Sequence, residues 1–250
     1  MPLLLSMPLF TDVPKLKPDE LCVYLRQHWA DIAEITAVEA DDRSVSFYCG
    51  TTLVLLAIMP AALPWSELEG PCHTSWLWPE ALTEVKQHCH HLVITVSDDA
   101  LEPVPLSALL TQVTAAVLAT TDKALGVYWC NAALLVPQQL FIDFAVQVLP
   151  NEVPIYLWVD VRAGQDEGGS SGFTTGLEAL GLMEIEALQT PEPVAELRER
   201  LTSLAVYTIE NGPVINDGDT IGESEQERIG VVYSASHFGH EQQVMLLQYR

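Results

Sequence analysis

The apolar positions of this 250-residue chain change period several times, and each change marks an element. MPLLLSMPLF alternates too little to be half-exposed and predicts a strand buried on both faces. KPDELCVYLRQHWADI predicts a helix, opened by Pro18 and Asp19, with Leu21, Leu25 and Trp29 on its apolar face. AEITAVEADDRSVSFYCGTTLVLLAIMP reads as two or three strands, turned at Asp41–Arg43 and at Gly50. PWSELEGPC reads as a loop. PEALTEVKQHC predicts a helix with Pro79 in its first turn, followed by a strand from His91 to Ser97. LSALLTQVTAAVLATT predicts a long, largely buried helix, and Ala124 to Cys130 a strand. PQQLFIDFAVQVL is a helix started by Pro137, and VPIYLWVDVR a central strand. AGQDEGGSSG is a polar loop, TTGLEALG a short helix ended by Gly181, and LMEIEAL a strand. EPVAELRERLTSLAVYTIEN spaces Val194, Leu197, Leu201 and Leu204 as a helix does. ERIGVVYSAS and QQVMLLQYR form an antiparallel pair joined through HFGHE.

Helices mixed with adjacent hairpins predict an α+β fold, in which helices are layered on a largely antiparallel, mixed sheet. Two arrangements stay open. One has two similar α/β subdomains, 1–97 and 106–250, divided around the acidic Asp98–Pro105 linker. The other is a single continuous domain. No solenoid-length repeat occurs. TLVLLAIM and LTQVTAAVLA are shorter than the ~18 apolar residues a membrane helix needs, and are expected to be buried elements. The N-terminal stretch has no basic region and is interrupted by Pro2 and Pro8, so a first strand is expected rather than a signal peptide, and a cytoplasmic location with it.

Charge alters this picture most. The chain carries 34 acidic and 11 basic residues, a net charge of −23. Phosphate backbones and anionic membrane surfaces would be repelled, which argues against both as partners. A basic protein would be attracted, and its association accelerated. The acids concentrate late: from Asp166 to Glu227 there are 14 carboxylates, with Arg198 and Arg200 the only cations. The C-terminal part is therefore the expected acidic face. The five cysteines (Cys22, Cys49, Cys72, Cys89, Cys130) contain no C-x-x-C pair, and free thiols are expected.

Several stretches invite specific chemistry. NDGDTIGES (Asn216–Ser224) resembles a calcium loop until its register is counted from Asp217. Ile221 then stands at position five and Arg228 at position twelve, where the bidentate carboxylate belongs. A tight turn at Asp217-Gly218 is the expectation, with a recognition edge second. In QHCHH, His88 and His90 share a face if extended, and His88 and His91 are i,i+3 neighbours if helical. A catalytic zinc would need a third ligand from Cys72, His73, Asp98 or Asp99. A helix end capped by histidines explains the same run. GGSSGFTTG lacks the G-K-[ST] of a phosphate loop and follows Asp166 and Glu167, which would repel an anion. A loop with Thr174 or Thr175 capping the next helix is expected there. No nucleophile elbow occurs. Of the six tryptophans, Trp65, Trp76 and Trp78 cluster in PWSELEGPCHTSWLWP, where they plug the core or anchor an interface.

MPAALPWSEL, WPEALTEVKQHCHHLVITV, ALGVYWCNAALLV, PIYLWVDV, TTGLEALGLMEIE and VINDGDTIGESEQERIGV occur in this order along the chain. Together they resemble a bacterial family, domain of unknown function 4261, from about Met59 onward. The resemblance transfers no catalytic residue. It implies a component of secretion or polymorphic-toxin neighbourhoods, and so a non-catalytic, immunity-type protein that neutralises a type VI or other polymorphic toxin. An acidic surface capping a basic toxin domain fits that role. Asp217, Asp219, Glu223 and Glu225 are the expected contacts, with Asp166 and Glu167 beside them, and no cofactor is expected. The alternatives are a metal-dependent enzyme built on His88, His90 and His91, or an accessory or adaptor of a secretion apparatus.

Overall fold

A computed structural model describes residues 4–222 and 227–249. The chain divides into two compact units, Met1–Leu157 and Trp158–Arg250.

The first unit is built on β1 (Leu4–Phe10), α1 (Pro18–His28), β2 (Ile35–Ala40), β3 (Ser44–Cys49), β4 (Thr52–Met59), α2 (Trp65–Thr74), α3 (Ala81–Glu84), β5 (His90–Ser97), α4 (Pro103–Thr120), β6 (Ala124–Trp129), β7 (Leu134–Pro137) and α5 (Gln138–Val148). Its seven strands form one sheet in the order β2-β3-β4-β5-β1-β6-β7, and every neighbouring pair is antiparallel. β1 therefore sits inside the sheet, as its unbroken apolar run predicts. α4 packs on one face of it, where the Ser6 and Thr114 hydroxyls meet at 2.6 Å in the interior. On the other face Leu9 joins Leu68, Cys72, Trp78, Ala81 and Val85 in a buried cluster built from α2, α3 and the residues flanking α3.

PWSELEGPC is mostly helix, contrary to the loop expected from its Pro and Gly. Pro71 lies inside α2 and forfeits one backbone bond, but burial of Leu68 and Cys72 offsets that loss. The first unit also takes in 106–148, which one of the two expected arrangements assigns to a second subdomain. β6 pairs with β1, and α4 packs on β1 and β5, so cutting near Asp98–Pro105 would divide one sheet from its own helices.

α4 is long and apolar enough, by length and composition, to cross a membrane, although 61% of it is buried within the fold, as in a core helix. TLVLLAIM is only half-buried. Val54 and Leu56 are in the core, while Leu53 and Leu55 face outward beside Tyr48. Register explains this: Thr36, Tyr48, Leu53 and Ser97 form one cross-strand row, and the helices cover the opposite face there.

The division falls within α6 (Ile155–Trp158), a single helical turn where a central strand was expected. The second unit then runs β8 (Asp160–Asp166), β9 (Gly169–Thr175), β10 (Ile185–Thr190), α7 (Val194–Asn211), β11 (Thr220–Ile221), β12 (Ile229–Ala235) and β13 (Gln243–Gln248). The sheet order is β11-β12-β13-β10-β9-β8, so β8 is an edge rather than a centre. β10 and β13 are parallel and the other pairs antiparallel, which makes this the mixed sheet. AGQDEGGSSG is not a loop but the β8–β9 hairpin, with Asp166 opposite Gly169. α7 packs on β8 and β9 through Leu197, Leu201 and Ala205. An α+β fold with helices layered on antiparallel and mixed sheets is thus the architecture.

Candidate partner-binding groove

A groove of about 640 Å³ opens in the second unit between α7 and β11. Arg200, Ser203, Leu204 and Tyr207 recur every three or four residues along α7 and form one wall. Asp219, Thr220, Ile221 and Gly222 form another, and Val214 and Ile215 complete the lining. Tyr207 and Val214 are about half exposed (48% and 47%) and leave apolar surface open in the lining of the groove.

Asp219 reaches the groove through the turn that NDGDTIGES predicts. Gly218 has φ +88°, a left-handed conformation that suits glycine, and the Asp219 N–H donates to the Asn216 carbonyl at 3.0 Å. Both aspartates have structural partners as well. Asp219 Oδ2 accepts the Asn216 N–H at 2.7 Å, and Asp217 Oδ1 accepts the Tyr233 N–H at 2.9 Å. Two backbone bonds between Asp219 or Gly218 and Val231 then zip the turn onto β12. Gly222 is needed for close approach, since a Cβ there would lie 2.3 Å from the Glu227 carbonyl oxygen.

Beside the groove lies a charged network that the sequence did not reveal. Arg200 donates from Nε to Glu192 Oε1 (2.7 Å) and from Nη2 to Glu227 Oε1 (2.7 Å), and the Tyr249 hydroxyl donates to Glu192 Oε2 (3.1 Å). Burial works against the guanidinium's charge, but the two glutamates outweigh it and hold the Arg200 pKa above its ordinary value. Burial, with Glu192 adjacent, pushes the Tyr249 phenol up. The four-residue spacing of Glu196 and Arg200 on α7, with Glu192 in the bend just before it, hints at such a cluster. Glu227 and Tyr249 come from distant sequence and could not be placed without the fold.

Two further glutamates are buried on the sheet. Glu184 accepts the Thr174 hydroxyl (2.7 Å) and the N–H groups of Gly176 (2.7 Å) and Glu178 (3.1 Å). Thr174 is thus not a helix cap; its side chain ties β9 to Glu184. Glu186, fully buried, accepts the Ser236 hydroxyl and the His237 N–H (2.9 Å), clamping the loop before β13.

Residues 173–248 match the model of a family described as Domain of unknown function (DUF4261). The matched domain contains the groove, both buried glutamates and the Asp217–Asp219 turn. It covers the last two of the quoted motifs and none of the earlier ones, a narrower span than the order of motifs suggested. No curated protein matches the chain, and no solved structure does.

The other expected contacts scatter. Glu223 and Glu225, inside the matched domain, lie outside the described residues. Asp166 and Glu167 lie before it, at the β8–β9 hairpin tip. There Asp166 accepts the Ser171 hydroxyl and the Gly168 N–H, bonds that hold its pKa below the usual carboxylate range. In the first unit, His88 uses both ring nitrogens on the protein: Nδ1 donates to the Val85 carbonyl and Nε2 accepts the Leu63 N–H at 2.9 Å. His91 donates to the Ala61 carbonyl at 2.8 Å, and burial holds its pKa below the ordinary histidine value. His90, the preceding residue and the first of β5, contacts the Cys89 thiol at 3.2 Å. Among the described residues, no group of three or more His, Cys, Asp or Glu side chains is placed to hold a metal ion. The QHCHH run braces the 61–63 segment, close to the histidine-capped helix end expected of it.

Proposed function

We propose that this protein is a non-catalytic binding protein that takes a basic protein partner on the acidic surface of its second unit. One observation carries this reading. Asp219 lines the α7–β11 groove, Glu192 and Glu227 pair with the Arg200 guanidinium beside it, and helical spacing puts Glu196 and Glu210 on the same side of α7 as Arg200 and Tyr207. A cationic surface gains on-rate from such a field, and half-exposed Tyr207 and Val214 give it apolar contact once docked. Asp217 and Asp219 belong to this surface, with Asp166 and Glu167 as a secondary contact. An immunity-type protein capping a toxin domain is the form implied by the family resemblance. An adaptor would use the same surface on a component of a secretion apparatus.

The test is stoichiometric capture of a basic protein from the native host, repeated at low and high salt. The double variant Asp217→Asn/Asp219→Asn keeps a side-chain oxygen to accept each backbone N–H while removing two charges, so its fold is preserved. Capture should weaken with salt and weaken again in the variant, and a captured toxin whose activity is blocked would establish the immunity form. Turnover of a small molecule by the purified protein would end the non-catalytic reading.

A further inference from the structure

We propose that the α7–β11 groove receives an extended segment of the partner, which adds to β11 as a further strand and carries lysines or arginines two residues either side of an apolar residue. This rests on the binding reading above and specifies its mode. β11 is the last strand of its sheet, and among the described residues no strand pairs with its outer edge. The unpaired N–H and C=O groups of such an edge are a template for one more strand. Here they share a groove with a helix wall rather than standing open to solvent on every side, so side chains of the added strand find a surface to pack on.

The spacing of the charges sets the sequence preference. Along a strand, residues i and i±2 point to the same face, so a central apolar side chain against Leu204, Tyr207 and Val214 places residues i−2 and i+2 on that side too. On α7, Glu196 and Glu210 lie about one turn beyond either end of the Arg200–Tyr207 wall, about 21 Å apart along the axis. Five extended residues span about 13 Å between their ends. Lysine or arginine side chains extend that reach to both carboxylates, with Asp219 across the groove. A second copy of this chain does not suit the site, because a net charge of −23 makes two such faces repel.

The experiment titrates the isotope-labelled full chain with the capped pentapeptide KTVTK, with ETVTE and with spermine, following backbone amide resonances. KTVTK should give saturable shifts at Thr220 and Ile221 and at Ser203 and Tyr207, with ETVTE giving none. Ser203→Lys places a cation on an exposed groove position and should weaken KTVTK about tenfold without unfolding the chain. Equal response to spermine, shifts that avoid β11, or unchanged affinity in Ser203→Lys would each overturn the strand-addition mode. If Ser203→Lys still captures the native basic partner at full strength, the binding reading stands and this mode falls. If no basic partner exists, the reading itself falls.

Discussion

Glu184 shows how one buried carboxylate sets a pH dependence. It is 4% exposed, and burial raises its pKa although three donors hold it in place. With the neutral form favoured in the fold, the native state keeps a proton that the unfolded chain releases once pH passes the ordinary carboxylate value. The contribution is therefore full on the acid side and is lost as pH rises through the raised pKa. Buried Asp160 shifts the same way, from burial first and against the pull of Arg162, so the comparison must isolate one site. Glu184→Gln does so. Its amide oxygen can accept the Gly176 and Glu178 N–H groups, and its NH2 can donate to the Thr174 hydroxyl. Urea midpoints of wild type and Glu184→Gln should diverge as pH rises above the ordinary carboxylate value, with the wild type losing ground at the higher pH. Glu184→Ala leaves all three donors without an acceptor and should cost about 3 kcal/mol.

At the scale of elements, the α2–α3 layer depends on a strand position with no side chain. The Trp78 ring lies against Gly126 of β6, where a Cβ would stand 2.5 Å from Cζ3 and 2.3 Å from the Val136 carbonyl oxygen. The indole N–H donates to Glu84 at 2.8 Å, which fixes the ring over that gap. Gly126→Ala should therefore destabilise by about 2–3 kcal/mol through overpacking and shift tryptophan emission to the red as Trp78 gains water. Trp78 plugs the core, as one of the two expectations for its cluster holds, whereas Trp76 is 46% exposed and meets Tyr156 edge-on at 5.4 Å. Periodicity made α1, α5 and α7 legible because each buries a stripe, whereas α4 was legible from the length of its apolar run, since it is buried on nearly every side. α2 was hidden by Gly70 and Pro71, since local breakers outweigh a two-residue apolar contact when tertiary burial is unseen. The β8–β9 hairpin was hidden for another reason. β9 alternates buried and half-buried positions using Ser, Gly and Thr, and a pattern written in small polar residues has no hydrophobic signal to read. Both walls of the groove were legible singly, one as the Asp217–Asp219 turn and the other as a face of α7, but their meeting and the Arg200 network were not, because Glu192, Arg200, Glu227 and Tyr249 are brought together from distant sequence.

At the scale of the molecule, the folding unit and the matched sequence differ. The family match begins at Phe173, within β9, and so leaves out β8 and the first half of its hairpin. Yet α7 packs on β8 as well as β9, and β8 contributes seven register pairs to β9. A fragment of 173–248 would expose the β9 edge and strip one side of the α7 interface, removing apolar burial worth about 1.5–3 kcal/mol for each large side chain uncovered. Domains of this size have only 5–15 kcal/mol to lose. Residues 158–250 keep the whole six-stranded sheet and its helix. Expressed alone, 158–250 should melt cooperatively and give a dispersed amide spectrum, while 173–248 should aggregate or remain unfolded. The sheet order leads to the same result, because β10 pairs with both β9 and β13, and β13 with β12. Losing the β8–β9 end therefore loosens β10, then the Glu184 and Glu186 clamps it carries, and through β13 and β12 the turn that presents Asp219 to the groove.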